Sequence, residues 1–202
     1  MSLNVLLLGV QGAGKGTQAK RIAAEYGLAY VGTGDMLRGA IEAATELGLR
    51  VKPIYESGEL VPDDLMVGLI RDRLDGDDAA DGFVLDGFPR TLAQADALDE
   101  MLVEVDRSLS IVFELQIPQE VAIGRLNRRA EEESRSDDTP AAIERRIARY
   151  HQETAPLTAH YRSRGILVGI HAERSINQVF AEVQQSLELV LSSASGERAG
   201  GS

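Results

Sequence analysis

Residues 9–17 have the types and spacing of a phosphate-binding loop. They read Gly-Val-Gln-Gly-Ala-Gly-Lys-Gly-Thr, with an apolar run before them and a helical pattern after them. Glycines let successive backbone N–H groups point into the loop, and a following helix presents the positive end of its dipole to an anion. Lys15 adds a point charge for the β- and γ-phosphates of a nucleotide. The segment therefore predicts a nucleotide-phosphate site between a strand and a helix.

A second candidate residue for this chemistry lies at the end of another apolar run, residues 82–86. The run ends in Asp86, and such a carboxylate typically approaches Mg²⁺ directly or through water. The carboxyl ends of parallel strands are also where ligands bind in sheets of this kind. We therefore expect Mg²⁺ near Asp86 and the hydroxyl of Thr17, held largely through water.

The elements that must position these residues alternate along the chain. Apolar runs without polar alternation are typical of parallel strands buried on both faces, and they lie at residues 3–8, 28–31, 82–86, 110–115 and 166–170. Helical patterns separate them, and Ser175 is placed to cap a last helix that ends near Leu191. The pattern predicts an α/β fold with a parallel five-stranded sheet and helices on both faces.

Residues 32–62 show no strand pattern, so we expect a helical insert there, with its helices broken at Gly48, Pro53 and Gly58. The whole chain reads as one domain of 202 residues. Its core is predicted at residues 1–31, 63–129 and 139–191, with a short loop at 130–138. The Ser- and Gly-rich segment 192–202 is predicted to be disordered.

The overall composition narrows the classes of protein. A net charge of −11 argues against a nucleic-acid surface, and no apolar run reaches the ~18 residues that a membrane span needs. The absence of cysteine excludes disulfides and a thiolate zinc site, so no zinc is expected. The N-terminal residues lack the basic region of a signal peptide, and we expect a cytoplasmic protein without membrane or nucleic-acid partners.

Two motifs together resemble the adenylate kinase family of nucleoside monophosphate kinases. They are the Gly-Lys-Gly-Thr ending of the phosphate loop and the run Asp-Gly-Phe-Pro-Arg-Thr-Leu-Ala-Gln at residues 86–94. The resemblance covers about residues 3–191 and includes five motifs in family order. It departs at Gln11, where the family usually has Pro, and at residues 171–176, where the family usually has an acid-and-glycine loop. It implies a P-loop NTPase-like fold and a monomer.

The resemblance also implies an activity and its residues. The expected reaction transfers the terminal phosphoryl group of Mg-ATP to AMP, giving two ADP, and the expected partners are these nucleotides. The implied ATP contacts are Gly12, Ala13, Gly14, Lys15, Gly16, Thr17, Arg125, Arg129 and Arg174. The implied AMP contacts are Thr33, Arg38, Gly58, Leu60, Val61, Gly87, Arg90, Gln94, Arg135 and Arg146. Lys15, Arg90, Arg125, Arg135 and Arg146 are the implied catalytic cations.

Residues 130–138 resemble the short form of the family's lid. Arg135, Asp137 and Asp138 match its Arg-x-Asp-Asp pattern, in which the arginine contacts the transferring phosphoryl group and the acids order the closed lid. Arg125 and Arg129 are four residues apart and share a helix face, where an anion between them would remove their repulsion. Phosphoryl transfer needs no general base, so we expect His151 to be structural.

Two alternatives remain beside this hypothesis. One is a kinase that phosphorylates UMP or CMP, but such enzymes typically have Asn at the positions of Thr91 and Gln94. A glutamine amide both donates and accepts, which suits the edge of adenine. Another is a nucleotide-binding scaffold without turnover, which would not need every arginine of the set. A signalling GTPase is disfavoured because the sequence has no Asn-Lys-x-Asp motif.

Overall fold

The computed structural model describes residues 2–133 and 138–199 of the chain. Its centre is a five-stranded parallel sheet with the strand order β2-β3-β1-β4-β5. The strands are β1 (Leu3–Leu8), β2 (Ala29–Gly32), β3 (Gly82–Asp86), β4 (Ile111–Gln116) and β5 (Leu167–His171). The predicted α/β fold with a parallel five-stranded sheet is confirmed.

Helices connect the strands and cover both faces of the sheet. They are α1 (Lys15–Tyr26), α2 (Thr33–Glu42), α3 (Glu46–Ser57), α4 (Asp63–Leu74), α5 (Leu92–Glu104), α6 (Gln119–Glu133), α7 (Pro140–Arg149), α8 (Pro156–Ser163) and α9 (Ile176–Ala199). A 3₁₀ turn (Asp77–Ala79) precedes β3, and a π-helical turn (Tyr150–Thr154) joins α7 to α8. Within the described residues, no helix is long and apolar enough to cross a membrane.

The core consists of two apolar clusters, one on each face of the sheet. Because successive strand residues point to opposite faces, β1 contributes Leu7 to one cluster and Leu6 to the other. The first cluster joins the sheet to α1, α6, α7 and α9, and the second joins it to α2, α3, α4, α5 and α8. Burial on both faces explains why the central strands β1 and β3 are continuous apolar runs, whereas the edge strand β5 is only partly buried.

The strand register brings three chain segments together at the carboxyl edge of the sheet. Asp86 at the end of β3 pairs with Leu7 on one side and with Gly32 on the other. The loop after β1, the segment after β3 and the start of α2 therefore meet at this edge. The hydroxyl of Thr33 donates to the carbonyl oxygen of Asp86 at 3.3 Å, which fixes α2 against β3.

The insert is helical, as predicted, but two of its three predicted breaks are wrong. Gly48 and Pro53 lie inside α3, and only Gly58 ends that helix, in a left-handed conformation with φ of 80°. A Cβ on Gly48 would lie 2.0 Å from the carbonyl oxygen of Ala40 in α2. Gly48 is therefore a helix-packing residue, because only a residue without a side chain allows this close approach.

The C-terminal segment also differs from the expectation. Residues 192–202 were predicted to be disordered, whereas α9 continues to Ala199. Once a helix exists, each added residue gains one hydrogen bond without a new nucleation cost.

Candidate active site

The phosphate loop runs from the end of β1 to the start of α1, as its sequence predicts. Gly9, Gly12 and Gly14 have φ values of 139°, 86° and 93°, which favour glycine. A Cβ on Gly9 would lie 2.5 Å from the carbonyl oxygen of Leu115, and one on Gly12 would lie 2.7 Å from that of Ala122. The loop thus needs glycine both for its backbone conformation and for its close approach to β4 and α6.

Lys15 folds back over this loop. Its Nζ donates to the carbonyl oxygens of Gly9 at 2.7 Å and Val10 at 3.1 Å. Burial lowers the pKa of Lys15 to about 8, an effect opposed by Asp86 and reinforced by Arg90. A lysine that has lost part of its hydration gains strongly from an anion, so it can bind a phosphate group in this loop.

Asp86 lies next to the loop at the end of β3. A Cβ on Gly16 would lie 3.1 Å from its Oδ2, so the carboxylate borders the start of α1. Burial raises the pKa of Asp86, while Lys15 and Arg90 act in the opposite direction. Asp86 and Thr17 line the same cavity, and their oxygens are of the type that Mg²⁺ prefers. No group of three or more metal-ligating side chains was found among the described residues.

Nearly all the residues predicted to contact the nucleotides line one cavity of about 600 Å³. It is lined by Gly12, Ala13, Gly14, Lys15, Gly16, Thr17, Thr33, Arg38, Leu60, Val61, Asp86, Gly87, Arg90, Gln94, Arg125, Arg129, Arg146 and Arg174. Gly58 does not line the cavity. Gly58 packs against α7, since a Cβ at this position would lie 2.8 Å from the carbonyl oxygen of Ala142. Its predicted contact with AMP stays a prediction.

Arg90 and Gln94 stand together on the side of the cavity next to the insert. The Nε of Arg90 donates to the carbonyl oxygen of Gly87 at 2.7 Å, and burial lowers the pKa of this guanidinium, with a further effect from Arg146. The backbone N–H of Arg90 donates to Oε1 of Gln94 at 2.7 Å. The guanidinium of Arg90 could therefore bind the phosphate of a nucleotide, while the amide of Gln94 binds the base of the same nucleotide.

Three arginines converge from α6 and α7. Arg129 donates to both carboxylate oxygens of Asp138, at 2.7 and 2.8 Å, and Arg146 donates to one of them at 2.9 Å. Arg125 instead donates to the carbonyl oxygens of Gly12 at 3.4 Å and Ala172 at 3.0 Å. The side chain of Asp138 is buried, and it holds the half-buried Arg129 and the buried Arg146 at the wall of the cavity.

Comparison with known proteins identifies this arrangement. The family model described as adenylate kinase matches residues 7–166, which is most of the chain. The chain belongs to the adenylate kinase family.

Three curated relatives agree with this assignment. An adenylate kinase of Methylobacterium radiotolerans is 44% identical over 92% of this chain and 96% of its own length. One of Caulobacter vibrioides is 43% identical over 93% of this chain and 98% of its own length. One of Archaeoglobus fulgidus is 38% identical over 94% of this chain and 100% of its own length. The assignment supports phosphoryl transfer between ATP and AMP to give ADP, and adenylate kinases in general use Mg-ATP.

The segment in which this adenylate kinase departs from the family pattern, residues 171–176, lies at the other end of the cavity. The Nε of Arg174 donates to the carbonyl oxygen of His171 at 3.1 Å, and its guanidinium pairs with Glu182 in α9. The Nε2 of Gln18 donates to the carbonyl oxygen of Ile176 at 3.1 Å. The segment is therefore fixed to α1 and α6 through side-chain hydrogen bonds to its backbone, and to α9 through the ion pair between Arg174 and Glu182.

The sequence reasoning missed Tyr55, which lines the cavity, and Asp63, which contacts Gln94 from behind. Tyr55 accepts a hydrogen bond from Arg38 at 2.7 Å, and its ring lies 5.3 Å from the guanidinium carbon of Arg146. Asp63 accepts hydrogen bonds from the side chains of Thr91 and Gln94. The only signal in the sequence was the position of Asp63 at the start of α4. Arg135 and Asp137, both predicted from the lid pattern, lie outside the described residues.

Proposed function

We propose that the residues lining this cavity transfer the terminal phosphoryl group of ATP to AMP without a covalent intermediate. The observation that carries the proposal is the shared cavity of Lys15, Arg90 and Gln94. Phosphoryl transfer depends on holding two anionic substrates in line and neutralising the migrating group. Lysine and arginine side chains can supply both effects.

On the ATP side, the backbone N–H groups of residues 12–17 would cradle the phosphates. Lys15 would exchange its carbonyl partners at Gly9 and Val10 for phosphate oxygens. Arg125 and Arg129 would bind from α6, and residues 172–174 would contact the base with little side-chain specificity. Arg135, which lies outside the described residues, is proposed to act on the transferring group.

On the AMP side, Arg38, Arg90 and Arg146 would bind the phosphate. The rim would be formed by Thr33 and Gly87, with Leu60 and Val61 against the base. Gln94 would hydrogen-bond the edge of adenine, which favours AMP over UMP and CMP as the acceptor. The phosphoryl transfer requires no general base. The rate and the choice of acceptor therefore depend on where these side chains hold AMP and on their charge.

Mg²⁺ accompanies ATP in this proposal. Asp86 and Thr17 would hold it, largely through water, because both offer hard oxygen ligands in the cavity. When bound, the ion supplies positive charge to the phosphate oxygens. We assign no zinc site, and we propose a monomer that acts in the cytoplasm and maintains the balance of adenine nucleotides. The core, the insert at residues 32–62 and the short lid at 130–138 would be its working parts.

The first experiment measures ADP formation from Mg-ATP with AMP, CMP, UMP, GMP or no acceptor. Turnover with AMP alone is expected. Turnover with CMP or UMP would keep the mechanism and refute the specificity assigned to Gln94. If the folded protein binds ATP but shows no turnover with any acceptor, the proposed kinase activity is refuted. The nucleotide-binding scaffold is then the remaining hypothesis.

Arg90→Ala tests the acceptor side of the proposal. Loss of a desolvated charge contact costs about 2–5 kcal/mol, so kcat/KM for AMP should fall about thirtyfold or more. Arg164→Ala is the matched control, because Arg164 is exposed and pairs with Asp99 at 2.5 Å away from the cavity. A fall of less than about tenfold for Arg90→Ala would refute the assigned role.

A further inference from the structure

The side chain of Gln94 is held in one orientation by two partners. Gln94 is 2% exposed and lines the cavity. Its Oε1 accepts from the backbone N–H of Arg90 at 2.7 Å, and its Nε2 donates to Oδ1 of Asp63 at 2.6 Å. A backbone N–H can only donate and a carboxylate can only accept, so both partners demand the same assignment of oxygen and nitrogen. Turning the amide over would break both bonds.

This orientation leaves hydrogen-bonding capacity for a ligand. A primary amide has two N–H donors and two oxygen lone pairs. Among the described residues, the two bonds above are those of the Gln94 side chain, which leaves one donor and one lone pair. Adenine offers a complementary pair, its amino group and a ring nitrogen. A purine with oxygen at position 6 offers an acceptor where adenine has a donor.

Asp63 acts from behind Gln94 and does not itself line the cavity. It is the first residue of α4, and its Oδ2 also accepts from the hydroxyl of Thr91 at 2.9 Å. Thr91 is the N-cap of α5, where its Oγ1 accepts from the backbone N–H of Gln94 at 3.1 Å. The carboxylate therefore joins the end of the insert to the start of the helix that carries Gln94.

We propose that Asp63 is a positioning residue that fixes the Gln94 amide so that the site selects a 6-amino purine monophosphate over a 6-oxo purine monophosphate. This inference rests on the proposed contact between Gln94 and the acceptor base. Without Asp63, only the N–H of Arg90 orients the amide. If the amide turns over, its donor and acceptor match a 6-oxo purine instead of adenine. Asp63 thus acts on the choice of base through Gln94, without contacting the substrate.

The test compares kcat/KM for AMP with kcat/KM for IMP, in which oxygen replaces the amino group. The variants are Asp63→Ala, Gln94→Leu and the double variant. Asp64→Ala is the matched control, because Asp64 is the neighbouring acid in the first turn of α4 and is exposed. It loses the same interaction with the helix dipole but no contact with Gln94.

For Asp63→Ala, the AMP-to-IMP ratio of kcat/KM is expected to fall about tenfold, which is the order of one hydrogen bond. The fall should appear mainly in KM for AMP. Asp64→Ala should stay within about twofold of the natural chain. Because both residues act through one amide, the double variant should show the same ratio as Gln94→Leu alone.

Each other result overturns a separate claim. An unchanged ratio in Asp63→Ala, with a changed ratio in Gln94→Leu, would refute the inference and keep Gln94 as the base contact. Equal losses of kcat/KM for AMP and IMP in Asp63→Ala would show a purely structural role and also refute it. An unchanged ratio in Gln94→Leu would refute the proposed base contact. If Asp63→Ala does not fold, Asp63→Asn replaces it, because an amide can donate as well as accept and so removes the same preference.

Discussion

Replacing Asp138 with alanine should destabilise the protein strongly. The side chain of Asp138 is 0% exposed, and the side chains of its partners Arg129 and Arg146 are 29% and 9% exposed. Removing one member of a buried ion pair costs about 3–5 kcal/mol. In Asp138→Ala, the buried guanidinium of Arg146 loses the carboxylate that it contacts at 2.9 Å. Three hydrogen bonds are lost, at 2.7, 2.8 and 2.9 Å. For a chain of this size, the midpoint of thermal unfolding should fall by about 6–20 °C.

The assay is urea denaturation, with Asp99→Ala as the control. Asp99 also accepts from an arginine, Arg164, but the two side chains are 28% and 35% exposed. An exposed pair contributes about 0–1 kcal/mol, so the control should change the free energy of unfolding little. A change of less than about 1 kcal/mol in Asp138→Ala would refute the conclusion that this buried carboxylate stabilises the fold through its ion pairs with Arg129 and Arg146.

A ligand adds a second readout to the same variant. If phosphate oxygens bind Arg129 and Arg146, a nucleotide supplies to the variant the negative charge that Asp138 supplies to the natural chain. ATP at saturating concentration should therefore raise the unfolding midpoint of Asp138→Ala by more than that of the natural chain. An equal increase in both proteins would place the phosphates away from these arginines.

Two further predictions concern charge and backbone conformation. Since the pKa of Lys15 is lowered to about 8, its charge is lost as the pH rises through that value, and the Kd for ATP measured by calorimetry without Mg²⁺ should rise up to about tenfold per pH unit above it. Lys15→Arg stays charged and should lack this inflection, whereas a pH-independent Kd in the natural chain would contradict the reasoning. Gly58→Ala should lower the free energy of unfolding by about 1–3 kcal/mol, because it forces a side chain into a left-handed conformation against Ala142. Gly68→Ala, in α4 with no atom within 4 Å of its Cβ, should raise it by about 0.5–1 kcal/mol, and equal denaturation curves for the two variants would refute this.

The bounds of the strands could be predicted best where a glycine follows an apolar run or an acid ends it. The bounds of β1 and β3 agree with the prediction, whereas β2, β4 and β5 begin and end one residue later than expected. Hydrogen bonds to a neighbouring strand determine where a strand ends, and apolar composition does not record them. In β2, for example, Gly32 extends the strand because it pairs with Asp86.

The cations of the candidate site could be predicted from the phosphate loop and from the motifs that resemble the adenylate kinase family. Their partners could not. Tyr55 and Asp63 are far in sequence from Arg146 and Gln94, and each occupies an ordinary helical position. Their contacts arise only when the insert packs against α5 and α7, which is a property of the tertiary structure. The role of Gly48 was misread for the same reason, since its partner Ala40 lies on a separate helix.

The contacts of the site cations explain how an acidic chain can gather positive charge in one cavity. Lys15, Arg90 and Arg125 donate to backbone carbonyl oxygens, while Arg129 and Arg146 share the carboxylate of Asp138. Carbonyl oxygens are weaker partners than charged oxygens, so an incoming phosphate can replace them. The first three cations are thus held in place but undercompensated, which favours binding of an anion. Asp138 instead pairs with both Arg129 and Arg146, so this carboxylate limits the repulsion between two arginines that we propose bind phosphate oxygens.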